Sequence, residues 1–127
     1  GSVYDQGGWH TAWNRILPKA AAHTCTVNEY GNTFTNTGAT AIVVFTLPDL
    51  VDANGHSRVD AKFTFYVDDA DGIRIVASAG CTIRVAANVS AAAGNIQATT
   101  IGNAVTLQAI TATQWVATSA VGTWTVT

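Results

Sequence analysis

Residues able to do chemistry are few in this chain of 127, and they are scattered. Asp68-Asp69-Ala70-Asp71-Gly72 has the opening of a calcium loop. Such a loop needs several converging oxygens, usually with a bidentate carboxylate downstream. No Glu or Asp follows at that spacing, so the segment is predicted to be a hairpin turn in which Asp-Gly supplies the positive φ angles. The three histidines are His10, His23 and His56. None stands in a pattern with a Ser or Cys nucleophile, and no GxSxG occurs. Glu29, Asp49, Asp52 and Asp60 could supply paired carboxylates for glycoside hydrolysis, but their positions at loops and strand starts fit solvated turns. Cys25 and Cys81 lie 56 positions apart with no ligand spacing around them. They are expected to be buried free thiols, with a disulfide between them as the alternative, rather than a zinc site. No catalytic residue, metal ligand or cofactor follows from these patterns, and the chain is expected not to be an enzyme.

Aromatic side chains are the other candidates, since their faces can stack on sugars. Trp115 and Trp124 sit in alternating segments and are expected in the core. Tyr4, Trp9 and Trp13 lie near the N-terminus, where they are expected to anchor an arm to the body or to a neighbouring chain. Tyr66 faces away from Phe63 and Phe65 and is the candidate surface-binding residue. Asn88-Val89-Ser90 matches a glycosylation sequon by spacing alone.

These residues must be positioned by β-structure. Residues 1–22 are expected to be an arm or linker, with Gly1–Ser2 a cloning remnant and TAWNRIL (11–17) able to form about two helical turns before Pro18. From residue 23 the period becomes two. TCTVNE (24–29), TFTN (33–36), AIVVFTL (41–47), DAKFTFYV (60–67), GIRIVAS (72–78), CTIRVAA (81–87), NIQATT (95–100), AVTLQAI (104–110), QWVATS (114–119) and TWTVT (123–127) all read as strands. Gly-containing turns separate many of them. Short strands at this spacing predict an all-β fold, a small antiparallel β-sandwich of jelly-roll type over residues 23–127. Within it, Thr33, Thr35 and Thr37 share one face of a strand opposite Phe34 and Asn36. Asn36-Thr37-Gly38 should then turn the chain so that AIVVFTL runs back beside it as a hairpin. AIVVFTL is apolar on both faces, which predicts a central strand or one covered by another subunit.

Composition bears on partners. Only 11% of residues are charged and the net charge is −2, against about 25% charged in an average domain. The exterior must therefore be largely neutral, which suits burial against another subunit. The six basic residues form no stripe, so nucleic-acid binding is not expected. No apolar run is long enough to cross a membrane as a helix. The polar opening GSVYDQGGWH lacks a signal-peptide pattern.

The order of several blocks carries a family resemblance. "GNTFTNTGAT" leads into a strand ending "FTLP"; "FTFYVDDADGIRI" and "GCTIRV" follow; "AVTLQAI…QWVATSAVGTWTV" closes the chain. Over residues 24–127 this resembles the β-domain (knob or head) near the C-termini of bacteriophage tail fibres, tailspikes and related virion proteins. Cys25 departs from that pattern, and the arm lies outside it. The resemblance implies a homotrimer on a virion appendage that contacts a host cell-surface glycan or protein, or other virion proteins. It marks no binding residues. The expected subunit-interface residues are Trp9, Trp13, Thr33, Thr35 and Thr37. The alternatives are a capsid decoration protein without receptor binding and a monomeric carbohydrate-binding module.

Overall fold

The computed structural model describes residues 15–51 and 54–127. Among the described residues there are twelve strands: β1 (Ile16–Pro18), β2 (His23–Thr24), β3 (Thr33–Thr35), β4 (Val43–Thr46), β5 (Lys62–Tyr66), β6 (Ile73–Val76), β7 (Thr82–Val85), β8 (Asn88–Val89), β9 (Asn95–Ala98), β10 (Ala104–Thr111), β11 (Gln114–Val121) and β12 (Thr125–Val126). They form one seven-stranded sheet, β1-β3-β5-β10-β11-β7-β8, and one five-stranded sheet, β12-β9-β6-β4-β2. The expected all-β sandwich is therefore the observed architecture.

The expected antiparallel order is not observed: both sheets are mixed. From β1 to β6 each successive strand lies in the opposite sheet. The chain crosses the sandwich at every turn, so strands that meet within one sheet have travelled the same way. Hence β1, β3 and β5 pair in parallel in the large sheet, and β2, β4 and β6 do so in the small one. The predicted hairpin between TFTN and AIVVFTL is accordingly replaced by an arch from β3 to β4 across the core. The Asp68–Gly72 turn is also an arch, from β5 to β6, rather than a hairpin. β10 and β11 do form a long antiparallel hairpin.

Two further expectations change. Ile16–Pro18 is a strand pairing with β3 rather than the end of a helix, and Pro18 is tolerated because β1 is an edge strand. The remainder of TAWNRIL lies outside the described residues. The segment 24–29 is a strand only at its start; Val27–Glu29 is a 3-10 turn. Glu29 accepts from the Thr26 amide at 2.9 Å, closing that turn as a capping box.

Alternation decides what is buried. Along β5, Phe63 and Phe65 are fully buried while Lys62 and Tyr66 are exposed. Phe34, Phe45, Phe63 and Phe65 meet at centroid distances of 5.2–6.3 Å, and Trp115 joins at 5.9 Å from Phe63. Each such ring stabilises by about 1.5–3 kcal/mol through burial, with tilted pairs adding about 0.5–1.5 kcal/mol. Trp124 is buried as expected, its Nε1 donating to the Ala104 carbonyl at 3.2 Å. Cys25 and Cys81 are buried free thiols, as the sequence suggested. In AIVVFTL, Val43, Phe45 and Leu47 point into the core, while Val44 and Thr46 lie half-buried on the outer face.

Two amides lock the arches. Asn36, fully buried at the end of β3, accepts from the amides of Asp68 and Asp69 at 2.8 Å each. Its Nδ2 donates to the carbonyls of Asp69 at 2.9 Å and Gly72 at 3.1 Å. All four of its hydrogen-bonding positions are thus used. At the crossing from β11 to β12, Asn103 donates to the Thr123 carbonyl at 3.1 Å and packs against Gly122. A Cβ on Gly122 would sit 2.1 Å from the Asn103 Oδ1.

Candidate interaction surface

The outer face of the large sheet is where three of the sequence-predicted residues, Thr33, Thr35 and Tyr66, meet. Its strand registers align two rows across five strands. One row is Ile16, Thr33, Thr64, Thr106 and Ser119. The other is Pro18, Thr35, Tyr66, Ala104 and Val121. All ten side chains are uncharged. β-branched threonine fits the pleated surface, and facing hydroxyls bond across strands: Thr64 and Thr106 lie 3.1 Å apart. Ile16, Tyr66 and Val121 are exposed on this face, Ile16 by 62% and Val121 by 56%. Positive charge comes only at the end of the face beyond these rows, where Lys62, Gln108, Val116 and Arg84 line up.

The structure therefore brings Thr33, Thr35 and Tyr66 onto one surface and separates Thr37 from it. Thr33 is half-buried, and Thr35 is buried, only 7% exposed. Thr37 lies past the strand end, where its hydroxyl donates to Asp68 Oδ2 at 2.6 Å and bonds the Thr35 hydroxyl at 2.8 Å. It belongs to the arch rather than to the sheet face. Trp9 and Trp13 lie outside the described residues. Thr64, Thr106, Ser119 and Val121 complete the surface. Alternation within β5 marks Thr64, but the others enter only through the pairing of β10 with β5 and β11.

The same face continues to an open strand edge. β7 runs beside β11 only over Gln114–Val116. Thr118–Val121 extend past it, exposed and uncharged. The register shifts between Thr106 and Leu107, so Thr118 is an extra residue opposite them. Such a bulge twists an edge and discourages open-ended strand addition.

The remaining chemical candidates have structural roles. His23 Nε2 lies 2.9 and 3.0 Å from the two Glu29 oxygens, and its ring packs 5.3 Å from Phe34. Burial opposes ionisation of Glu29, but the bonds from His23 and Thr26 outweigh it and hold the carboxyl below its usual range. Burial, reinforced by the nearby Glu29 charge, pushes the Cys25 thiol far above the usual range, so it is a packed apolar group and not a nucleophile. The Asp68–Gly72 loop is organised by Asn36 and by Asp69 Oδ1 accepting from the Asp71 amide at 2.9 Å. Among the described residues no group of three or more His, Cys, Asp or Glu side chains could hold a metal ion. In the sequon, Asn88 is exposed on the edge strand β8, whereas the Ser90 hydroxyl is committed to Ile83 N and Ala91 O.

No protein-family model matches this chain, and no curated protein matches it in sequence.

Proposed function

We propose that this chain is a structural and interaction module of a bacteriophage virion appendage, assembling as a homotrimer that contacts the host surface. The single observation that carries the assembly reading is the uncharged, five-strand-wide outer face of the large sheet. Burying its threonines and exposed Ile16, Tyr66 and Val121 against another copy desolvates no ionised group, which is the usual obstacle to burying a protein surface. A closed ring of copies would also cover the open segment Thr118–Val121, completing the protection against open-ended strand addition that the bulge at Thr118 begins. The virion setting rests on the ordered sequence blocks described above. Attachment follows by avidity: weak contacts made by copies held together on one appendage add to stable adhesion.

The test is sedimentation equilibrium at micromolar concentration. The expected mass is that of three chains. Thr64→Lys, at the centre of the uncharged rows, should give monomers without loss of fold, because three uncompensated ammonium groups would meet in the interface. Ala92→Lys, in an exposed turn, should leave the trimer intact. A wild-type monomer, or a trimer indifferent to Thr64→Lys, would overturn the assembly reading. Cell-binding assays address the host contact separately. Adhesion to host cells supports attachment; binding to capsids with no adhesion to cells supports the decoration alternative.

A further inference from the structure

Two of the four tryptophans in the sequence, Trp115 and Trp124, are buried in the core. Trp13 stands two positions before Arg15, the first described residue. The backbone of Arg15 is held at both ends. Its amide donates to Oδ1 of the buried Asn32 at 2.9 Å, and its carbonyl accepts from the Thr33 amide at 2.9 Å. Two residues of chain span at most about 7 Å. The covalent chain therefore keeps Trp13 near Tyr30 and Gly31, which precede Asn32. Alternation gives the side. In β1, Ile16 and Pro18 are exposed on the outer face, and Leu17 packs against the core. Continued back through Arg15, the same period of two puts position 13 on the side of Leu17.

A cleft of about 630 Å³ opens there, with Tyr30, Gly31, Val59 and Ala61 in its lining. Tyr30 packs edge-on against the core ring of Phe63 at 5.1 Å, Ala61 is buried, and Val59 remains 38% exposed. These side chains make an apolar wall. The nearby cations face elsewhere: Lys62 is exposed on the outer face, and Arg58 Nη1 donates to the Asp49 carbonyl at 3.0 Å. Backbone bonds fix the wall. Gly31 N donates to Lys62 O at 2.7 Å, and Asp60 N donates to Ala109 O at 2.8 Å. Filling a wall already in place costs little further ordering.

We propose that this cleft seats the indole of Trp13 from the same chain, against Val59, Ala61 and the open part of the Tyr30 ring. An aromatic side chain suits such a place, since each buries about 150–250 Å² when packed. The chain's own indole is favoured over a neighbour's because a two-residue tether holds it at high effective concentration. Trp9, six positions from Arg15, can range over about 20 Å and is not confined to this cleft. Seating Trp13 removes it from the subunit interface expected from sequence. The site needs one chain only, so it stands apart from the assembly reading. The residues before Trp13 then leave the sandwich at the Tyr30 end of the large sheet.

The experiment is NOE spectroscopy on the full chain, with a mixture of labelled and unlabelled chains to separate contacts within a chain from contacts between chains. Contacts from the Trp13 indole protons to the Val59 and Ala61 methyl groups, within one chain, are expected. Trp13→Ala should lower Tm by about 4–8 °C, and Trp9→Ala by less than about 2 °C. Val59→Lys changes an exposed side chain and should fold. Combined with Trp13→Ala it should lower Tm no further than the larger single change, because both remove one contact. Sedimentation of Trp13→Ala should give the wild-type mass. No contact with the cleft, contact only between chains, or Trp9 in place of Trp13 would overturn the proposal. So would additive losses in the double variant, a Trp13→Ala shift below about 2 °C, or a change of mass in that variant.

Discussion

Asn36→Ala is the substitution that most directly tests how the arches are held. Asn36 is fully buried and makes four hydrogen bonds to three residues of the Asp68–Gly72 loop. Removing the amide leaves two backbone N–H groups and two carbonyls without their partner. The Gly72 carbonyl also accepts from the Val43 amide at 3.1 Å, and Gly72 N donates to Asp69 O at 3.0 Å, so the loop would not lose every restraint. Asp68 is exposed and its amide can regain water. Discounting for these, the loss is about 2–4 kcal/mol, from about 0.5–1.5 kcal/mol for each net hydrogen bond. In a domain of this size that lowers Tm by about 8–15 °C. Thermal unfolding by circular dichroism measures the shift, and amide exchange locates it: Asp68 and Asp69 should lose protection while β10 and β11 keep theirs. Asn36→Asp, which retains the acceptor but loses both donors and adds charge beside Asp68, should be no better than alanine. A Tm change below about 2 °C for Asn36→Ala, on the same conversion, would refute the view that this side chain organises the crossing.

Other expectations can be checked with the same instruments. Phe34→Ala, which empties the centre of the aromatic cluster, should cost about 3–5 kcal/mol in chemical denaturation. Gly122→Ala meets both a φ of +77° and the Asn103 side chain, so it should destabilise by more than about 1 kcal/mol, whereas Ala at Gly80, also at positive φ but in open space, should cost less. The Glu29 carboxyl is held below its unfolded value, so its contribution to stability is full above about pH 5 and is lost as pH falls through the folded pKa. Glu29→Gln should flatten that acid limb of the stability profile. If the Asp68–Gly72 loop is built by Asn36 and not by an ion, millimolar Ca²⁺ should leave Tm unchanged; a clear rise would show a metal site.

The residues legible from sequence are those whose neighbours in the chain decide their environment. Period-two alternation placed Phe63, Phe65, Trp115 and Trp124 in the core and Tyr66 outside, because a strand half-buried on one face must alternate. It could not reveal the partner of each strand. Asn36-Thr37-Gly38 looks the same whether it closes a hairpin or an arch. The difference lies in Asn36 itself, whose side chain bonds a loop more than thirty positions away. Burial of Thr35 follows from sheet neighbours that local sequence does not name. β1 escaped notice because three residues ending in proline have no period. Low overall charge was legible at once, but the uncharged rows that it leaves on the large sheet required the registers.

The sheet-by-sheet crossing of β1 to β6 has a consequence for how the molecule forms. No two of these consecutive strands are partners, so among the described residues β1 to β6 have no pairing between successive strands to begin from. β1 can meet β3 only after β2 has been laid across the core, and β2 can meet β4 only after β3 has. The two sheets must therefore condense together. The β10–β11 hairpin is the longest local unit and can form early, offering β5 an edge on which the large sheet grows. Folding should be slow for the chain length and strongly cooperative, as expected when contacts are distant in sequence. During synthesis from the N-terminus, the early strands must wait for a template made last.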